Sequence, residues 1–563
     1  MILYLYMNHH SRSFIYFLSI SLLCLLFPAL SLAQNRNLQY YIDKKIESLT
    51  LDQKIGQLFI VGFADRSLTP ELQSFIQTYK PGSFILFKRN ISSLKQIQNL
   101  NQSLYQESFK ITSLPPLLAV DQEGGSVSRL PIDPPPPNAL ALGQTQSPLL
   151  VEEIGYQTAL FLREVGFNMN LAPVLDVVDI FSPGFIGVRS FGSDPHRVGD
   201  MGIAFSKGLL KAKVLPTAKH FPGTGNITAD PHKSVVINNS SKEKLITNDI
   251  LPFNQFSKIK LPTAVMMSHL VYPQLDSSRE PASFSSHIIH NILRRELNYK
   301  GIVVTDDLQM NGSKLLLKPE EAALKSLKAG SDMVMLTWSF SDQAKAFARV
   351  KKAILAGEIP EKDLHDKLER ILMAKAMTHS YKTPSGDLTV IKNQKLSSTR
   401  YYNLEEEVLQ SNLREHLLPR ALPSALGSRR IASTATPPKL CVISPSRHFL
   451  SSFSEGYKAP FSSRLIQASI NKETIESWVR NQSCKSIVLT VVGPSTSAAA
   501  TKLSKDIKKN TVIVNLGAPR LVRSEKGYLR VIQLYFSHRE AGKKIAQHLD
   551  EILKDSSSSY AIK

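Results

Sequence analysis

From residue 55 to residue 337, apolar runs the length of β-strands alternate with amphipathic helical segments. The runs are 55-IGQLFIVGF-63, 83-SFILFK-88, 116-PLLAVDQE-123, 167-FNMNLAPVLDV-177, 214-VLPTAKHF-221, 264-AVMMSHL-270, 301-GIVVTDDL-308 and 331-SDMVMLT-337. Between them lie patterns such as 151-VEEIGYQTALFLREVG-166 and 284-FSSHIIHNILRREL-297, in which apolar residues recur every three and four positions. Strands that are apolar along nearly their whole length belong to a parallel sheet covered on both faces. Eight such units within about 300 residues predict a closed (β/α)8 TIM barrel rather than an open sheet.

Asp121, Asp176, Lys219, His220, His269 and Asp306 all fall at or near the C-terminal ends of these strands. Barrel enzymes build their sites at that end, because the strand ends converge there and the loops are free to vary. A charge kept only for structure has no reason to prefer that end across so many strands. The six are therefore read together as one site.

At 563 residues the chain is too long for one ordinary domain, and a second is expected after the barrel. Hydrophobic content of 42% with 20% charged residues describes a globular chain, not a disordered one. The net charge is +21, and residues 401–563 hold 24 Lys/Arg against 13 Asp/Glu, about half of the surplus. A basic surface suits an anionic partner. No zinc finger, RNA-binding signature or aromatic-basic interleaving accompanies it, so no nucleic-acid partner is expected.

The first 33 residues read as an export leader. Arg12 is their only formal charge, Phe14 to Leu30 is predominantly apolar, and 31-SLA-33 places small residues for cleavage after Ala33. The competing reading is a retained anchor, since the run nearly spans a bilayer. Cys24 follows Leu22-Leu23 rather than a small residue, which argues against a lipoprotein site. Cleavage gives a mature, exported protein starting near Gln34, with no membrane segment. Cys441 and Cys484 survive cleavage and either pair or remain free thiols.

The loop 217-TAKHFPGTGNITADPHKSVV-236 admits three readings. As a phosphate cradle its Gly-Thr-Gly is weak, because no Lys-Ser/Thr follows. As a metal site it has His220 and His232, with His269 further on, but no recognised metal-binding histidine spacing. The third reading is glycoside chemistry, which needs a nucleophilic carboxylate and a proton donor on opposite sides of an anomeric carbon. Asp306 ends the seventh strand and points into the barrel mouth. Successive strand residues face opposite ways, so Asp307 is expected in a supporting or helix-capping role. His232 suits the proton donor, because an imidazole both gives and takes a proton near neutrality. Asp230 is spaced to bond its other ring nitrogen. An isolated Asp-Pro-His is more often a surface turn, so this pattern alone does not decide.

The segments 121-DQEGG-125, 189-RSFG-192, 219-KHFPGTG-225, 230-DPH-232, 266-MMSHLVYP-273 and 304-VTDDLQM-310 occur in an order and at spacings that resemble the β-N-acetylhexosaminidases of glycoside hydrolase family 3. The resemblance covers roughly residues 45–375. It implies that Asp306 is the nucleophile of a covalent glycosyl-enzyme, and that His232 is the acid/base with Asp230 as its dyad partner on a mobile loop. It implies that Asp121, Arg129, Arg189, Lys219 and His220 hold the sugar, and that His269 is a further active-site histidine. The implied reaction is retaining removal of terminal β-linked N-acetylglucosamine, typically from peptidoglycan fragments, with no metal or cofactor. Two positions depart from the family pattern: Thr224 stands where histidine is usual, and Ser126 where arginine is usual. The segment Lys233 to Ser240 also drifts. A phosphorylase and an inactive cell-wall-binding relative are the alternatives.

The domain plan is a leader at 1–33, the barrel at 34–378, a helix and linker at 379–438, and a smaller α/β domain at 439–563. Strands are expected at 439–445, 485–493, 511–519 and 530–536, with helices at 402–418 and 538–553. The tail from residue 555 reads as disordered.

Overall fold

The computed structural model describes residues 38–132, 136–180, 184–225, 227, 229 and 234–379, and beyond them residues 404, 407–409 and most of 440–549. The leader, most of the segment 379–438 and the 555–563 tail lie outside the described residues. Among the described residues no helix is long and apolar enough to cross a membrane.

Eight parallel strands close into a barrel. They are β1 (Phe59–Val61), β2 (Ser83–Leu86), β3 (Leu117–Val120), β4 (Met169–Asn170), β5 (Leu215–Phe221), β6 (Ala264–Met267), β7 (Ile302–Asp307) and β8 (Met333–Leu336). Each pairs with its neighbours in chain order, and β1 closes on β8 with Ile60 opposite Met335. The TIM barrel expected from the apolar runs is the fold.

Local chemistry sets the connecting helices. Ser93 caps Leu94–Thr112, Ser147 caps Pro148–Glu164, and Asp194 caps Pro195–Lys211, each accepting an amide that would otherwise be orphaned. Two expected strands differ. Residues 55–57 belong to helix Leu51–Gln57, which starts from a Thr50–Gln53 capping box. The run 167–177 yields a two-residue strand and an isolated bridge at Val174, with Pro173, which has no N–H for a ladder, between them.

The N-terminal end of the barrel carries structural charge. Helix Glu361–His379 passes beneath it, and Lys375 Nζ donates to Gln57 Oε1 at 2.6 Å and to Gly82 O at 2.7 Å. Asp332, just before β8, is clamped by Arg294 and Arg370 at 2.6 and 2.8 Å.

Among the described residues the C-terminal part is a five-stranded parallel sheet: β9 (Leu440–Ser444), β10 (Phe461–Leu465), β11 (Ser486–Val491), β12 (Thr511–Asn515) and β13 (Arg530–Gln533), in the order β10-β9-β11-β12-β13. Strand β10 was not expected; its residues 461-FSSRL-465 are half exposed and lack an apolar run. Cys441 on β9 and Cys484 before β11 form a disulfide, with Cα atoms 5.7 Å apart.

Candidate active site

The C-terminal ends of the strands surround a cavity of about 380 Å³. Asp121, Arg129, Arg189, Lys219, His220, His269 and Asp306 all line it: Lys219 and His220 lie on β5 and Asp306 on β7, and the other four lie on the segments that follow β3, β4 and β6. Asp230 and His232 lie outside the described residues.

The floor begins after β3. Residues Gln122–Gly124 and Val127–Ser128 form a small antiparallel hairpin, which returns Arg129 to within 3.4 Å of Asp121. Gly124 is at φ 102°, and a Cβ there would lie 2.1 Å from Pro137 O, so only glycine fits this turn. Ser126 is exposed at the hairpin tip.

Asp121, Glu123, Lys219 and Arg189 form one buried ionic network. Lys219 Nζ lies 2.8 Å from Asp121 Oδ1 and 2.6 Å from Glu123 Oε1, and Arg189 grips Glu123 with two bonds of 2.8 and 2.9 Å. Burial alone would raise the Glu123 carboxyl, but Arg189 and Lys219 outweigh it and hold it far below the usual range. Burial opposes the Lys219 charge, yet Asp121 and Glu123 raise its affinity for the proton. Glu123 was legible only as part of a motif, and its role here comes from partners distant in the chain.

Lys219 and His220, joined by a cis peptide, both line the cavity. His220 Nδ1 donates to Asp176 Oδ2 at 2.7 Å, and the Thr224 amide donates to Asp176 Oδ1 at 2.7 Å. Burial opposes ionisation of Asp176, but His220 and these bonds hold its carboxyl below the ordinary value. An ionised Asp176 only accepts, which fixes the His220 proton on Nδ1 and leaves Nε2 for the cavity. Thr224 is buried at the cavity wall, and its Oγ1 has no hydrogen-bond partner among the described residues.

Opposing these groups is the end of β7. Strand alternation places only Asp306 toward the mouth, yet Asp306 and Asp307 both line the cavity. The register against β8 slips between Val304–Met333 and Asp307–Met335, and this irregularity breaks the alternation. Asp306 Oδ1 accepts the Asp307 amide at 2.8 Å. The Asp307 carboxyl takes the Thr337 hydroxyl at 2.5 Å and the Gln309 amide at 3.1 Å, a supporting arrangement, and burial pushes it up to about 6.

His269 Nε2 donates to Asp307 O at 3.1 Å, and its Nδ1 accepts from the Ser283 hydroxyl at 2.8 Å. Burial favours this neutral ring. With both nitrogens engaged, His269 braces the strand end that carries Asp306. Among the described residues no group of three or more His, Cys, Asp or Glu side chains is arranged for a metal ion.

A half-buried carboxylate at a barrel strand end, facing a rigid cluster of polar and cationic groups, is an arrangement suited to sugar chemistry. Residues 50–374 match the family described as Glycosyl hydrolase family 3 N terminal domain. The chain belongs to this family and is a glycoside hydrolase.

This family 3 glycoside hydrolase is 32% identical over 320 residues to a protein named Beta-hexosaminidase from Idiomarina loihiensis, covering 56% of this chain and 92% of that one. It is 29% identical to Beta-hexosaminidase A of Pseudoalteromonas piscicida, over 65% of this chain and 67% of that one. Among solved structures, a family 3 beta-N-acetylglucosaminidase from Paenibacillus sp. str. FPU-7 superposes with a TM-score of 0.74 at 25% identity. That match covers 89% of this chain and 97% of the other, so the likeness extends through the C-terminal domain.

Proposed function

We propose that this glycoside hydrolase is a retaining exo-β-N-acetylglucosaminidase, exported, and acting on terminal β-linked N-acetylglucosamine of peptidoglycan fragments. The observation that carries the reading is Asp306 lining the same cavity as the Asp121–Lys219–Glu123–Arg189 network. The names of the similar proteins, β-hexosaminidase and β-N-acetylglucosaminidase, support the choice of sugar.

In this mechanism Asp306 attacks the anomeric carbon as the bond to the leaving oxygen breaks, and His232 gives that oxygen its proton. The product is a glycosyl-aspartate. His232 then takes a proton from water, whose oxygen displaces Asp306 from the same carbon, so two inversions retain the configuration. Asp230 is the dyad partner in this proposal. Asp121, Arg129, Lys219 and the Nε2 of His220 bind hydroxyl and acetamido groups. Because Lys219 is already fixed by two carboxylates, it holds the sugar without reorganising.

The test is release of chromophore from an aryl β-N-acetylglucosaminide by protein lacking residues 1–33, with and without inorganic phosphate. Expected are phosphate-independent release and its loss in Asp306→Ala. No release by the wild type sinks the reading. Formation of sugar 1-phosphate only when phosphate is added makes the protein a phosphorylase. Export is tested by finding Gln34 at the N-terminus of the mature protein.

A further inference from the structure

Trp338, one of only two tryptophans in the chain, lines the cavity while remaining 65% exposed. A single exposed apolar side chain is ordinary on a protein surface. This one is seated on a cation and its backbone is bonded. Its ring lies over the Arg89 guanidinium, whose carbon is 4.1 Å from the ring centre and 4.4 Å from that of Phe87. Arg89 is itself fixed, with Nε donating to Phe63 O at 3.1 Å and Nη2 to Thr337 O at 2.7 Å.

The backbone of Trp338 is latched as well. Its N–H donates to Gln309 Oε1 at 2.8 Å, and Gln309 Nε2 donates to Asp342 Oδ2 at 3.0 Å. The preceding residue, Thr337, bonds the carboxyl of Asp307, the neighbour of Asp306. The backbone of Trp338 is therefore held at the cavity rim with its ring over Arg89, one residue from a direct contact with the strand end that carries the proposed nucleophile. The seat of the ring on Arg89 already exists in the free protein, which lowers the entropy cost of binding against it.

Position and chemistry together define what suits this surface. The charged network on the cavity floor matches the hydroxyls of the sugar to be released. Trp338 offers a flat, electron-rich face at the rim, where the leaving group must extend from the cavity. A pyranose presents a face of C–H bonds with slight positive charge, which lies favourably on the negative face of an aromatic ring. We propose that Trp338, backed by Arg89, is the platform on which a saccharide leaving group stacks, and so sets the preference for a disaccharide over a glycoside whose aglycone has no ring. This inference rests on the exo-glycosidase reading above.

The experiment compares two probes, N,N′-diacetylchitobiose, whose aglycone is a pyranose, and methyl β-N-acetylglucosaminide, whose aglycone has no ring. The protein is the full chain without its leader, as wild type, Trp338→Ala and Trp338→Phe, each checked for wild-type thermal unfolding. In Trp338→Ala the ratio of kcat/KM for the disaccharide over the methyl glycoside should fall about tenfold, mainly through the disaccharide KM, whereas Trp338→Phe should retain most of it. Wild type active on both probes with a ratio unaltered in Trp338→Ala overturns the platform alone. Wild type releasing N-acetylglucosamine from neither probe overturns the parent reading, and the platform with it.

Discussion

Lys219 Nζ lies 2.6 Å from Glu123 Oε1, with both side chains almost fully shielded from water. Arg189 takes the same carboxylate from another side and Asp121 takes the same ammonium, so the four charges neutralise one another. Removing one member leaves an uncompensated buried charge, which costs about 3–5 kcal/mol. Glu123→Ala should lose that much stability in urea unfolding, with Glu123→Gln losing less. A wild-type midpoint in Glu123→Ala would show that the network does not hold the floor together.

Asp306 and His232 should separate by leaving group. Loss of the nucleophile removes the covalent route, so Asp306→Ala should drop kcat by about 10⁴-fold or more on any glycoside. Loss of a general acid costs about 10²–10⁴-fold, and that cost shrinks when the leaving group needs no proton. His232→Ala should therefore be far more impaired on a disaccharide than on a nitrophenyl glycoside. Equal impairment on both would remove His232 from the acid role.

Asp249 is wholly buried against the turn that holds Gly223 and Gly225; a Cβ on Gly223 would come within 2.7 Å of its own Cβ. Burial pushes its carboxyl up to about 7, with Asp176 adding to the effect. The unfolded value is about 3.9, so between roughly pH 4 and pH 7 the folded state holds a proton that the unfolded state has released. Its contribution to stability is present below pH 4 and is lost as pH rises through 7. Asp249→Asn stays neutral, so its stability relative to wild type should increase from pH 4 to pH 8. Unfolding curves that shift in parallel across that range would contradict this.

The Cys441–Cys484 disulfide closes a separation of 43 residues in the C-terminal sheet. A loop of that length corresponds to about 4 kcal/mol in the chain-entropy treatment, and native bridges commonly contribute 2–4. Replacing both cysteines by alanine should destabilise the C-terminal domain by about this amount, seen as an earlier transition in thermal unfolding. An unchanged transition would mean that the sheet is held without the bridge.

Much of this architecture was legible in the order of residues. Parallel barrel strands are buried on both faces, so runs such as 264-AVMM-267 announce themselves without knowledge of their neighbours. Polar groups at the ends of those runs then marked one rim of the barrel, and the cavity gathers seven of the nine site residues expected from sequence. Strand β10 escaped because a half-exposed edge strand carries no apolar run. The supporting position of Asp307 was legible, but its place in the cavity wall was not, because a register irregularity between β7 and β8 is a property of the pairing and not of either strand.

Periodicity and strand ends are local features, so the barrel, the second domain and the placement of Asp121, Lys219, His220 and Asp306 at one end of the strands could be read from the order of residues. Tertiary structure alone decided that Glu123 balances Lys219 and Arg189, that His269 spends both ring nitrogens on the protein, and that Trp338 is seated on Arg89. Arg189 is 66 residues from Glu123, and Arg89 bonds Thr337 across 248 residues. Ion pairing and stacking act through distances of a few ångströms, and contacts across such separations exist only once the barrel has closed.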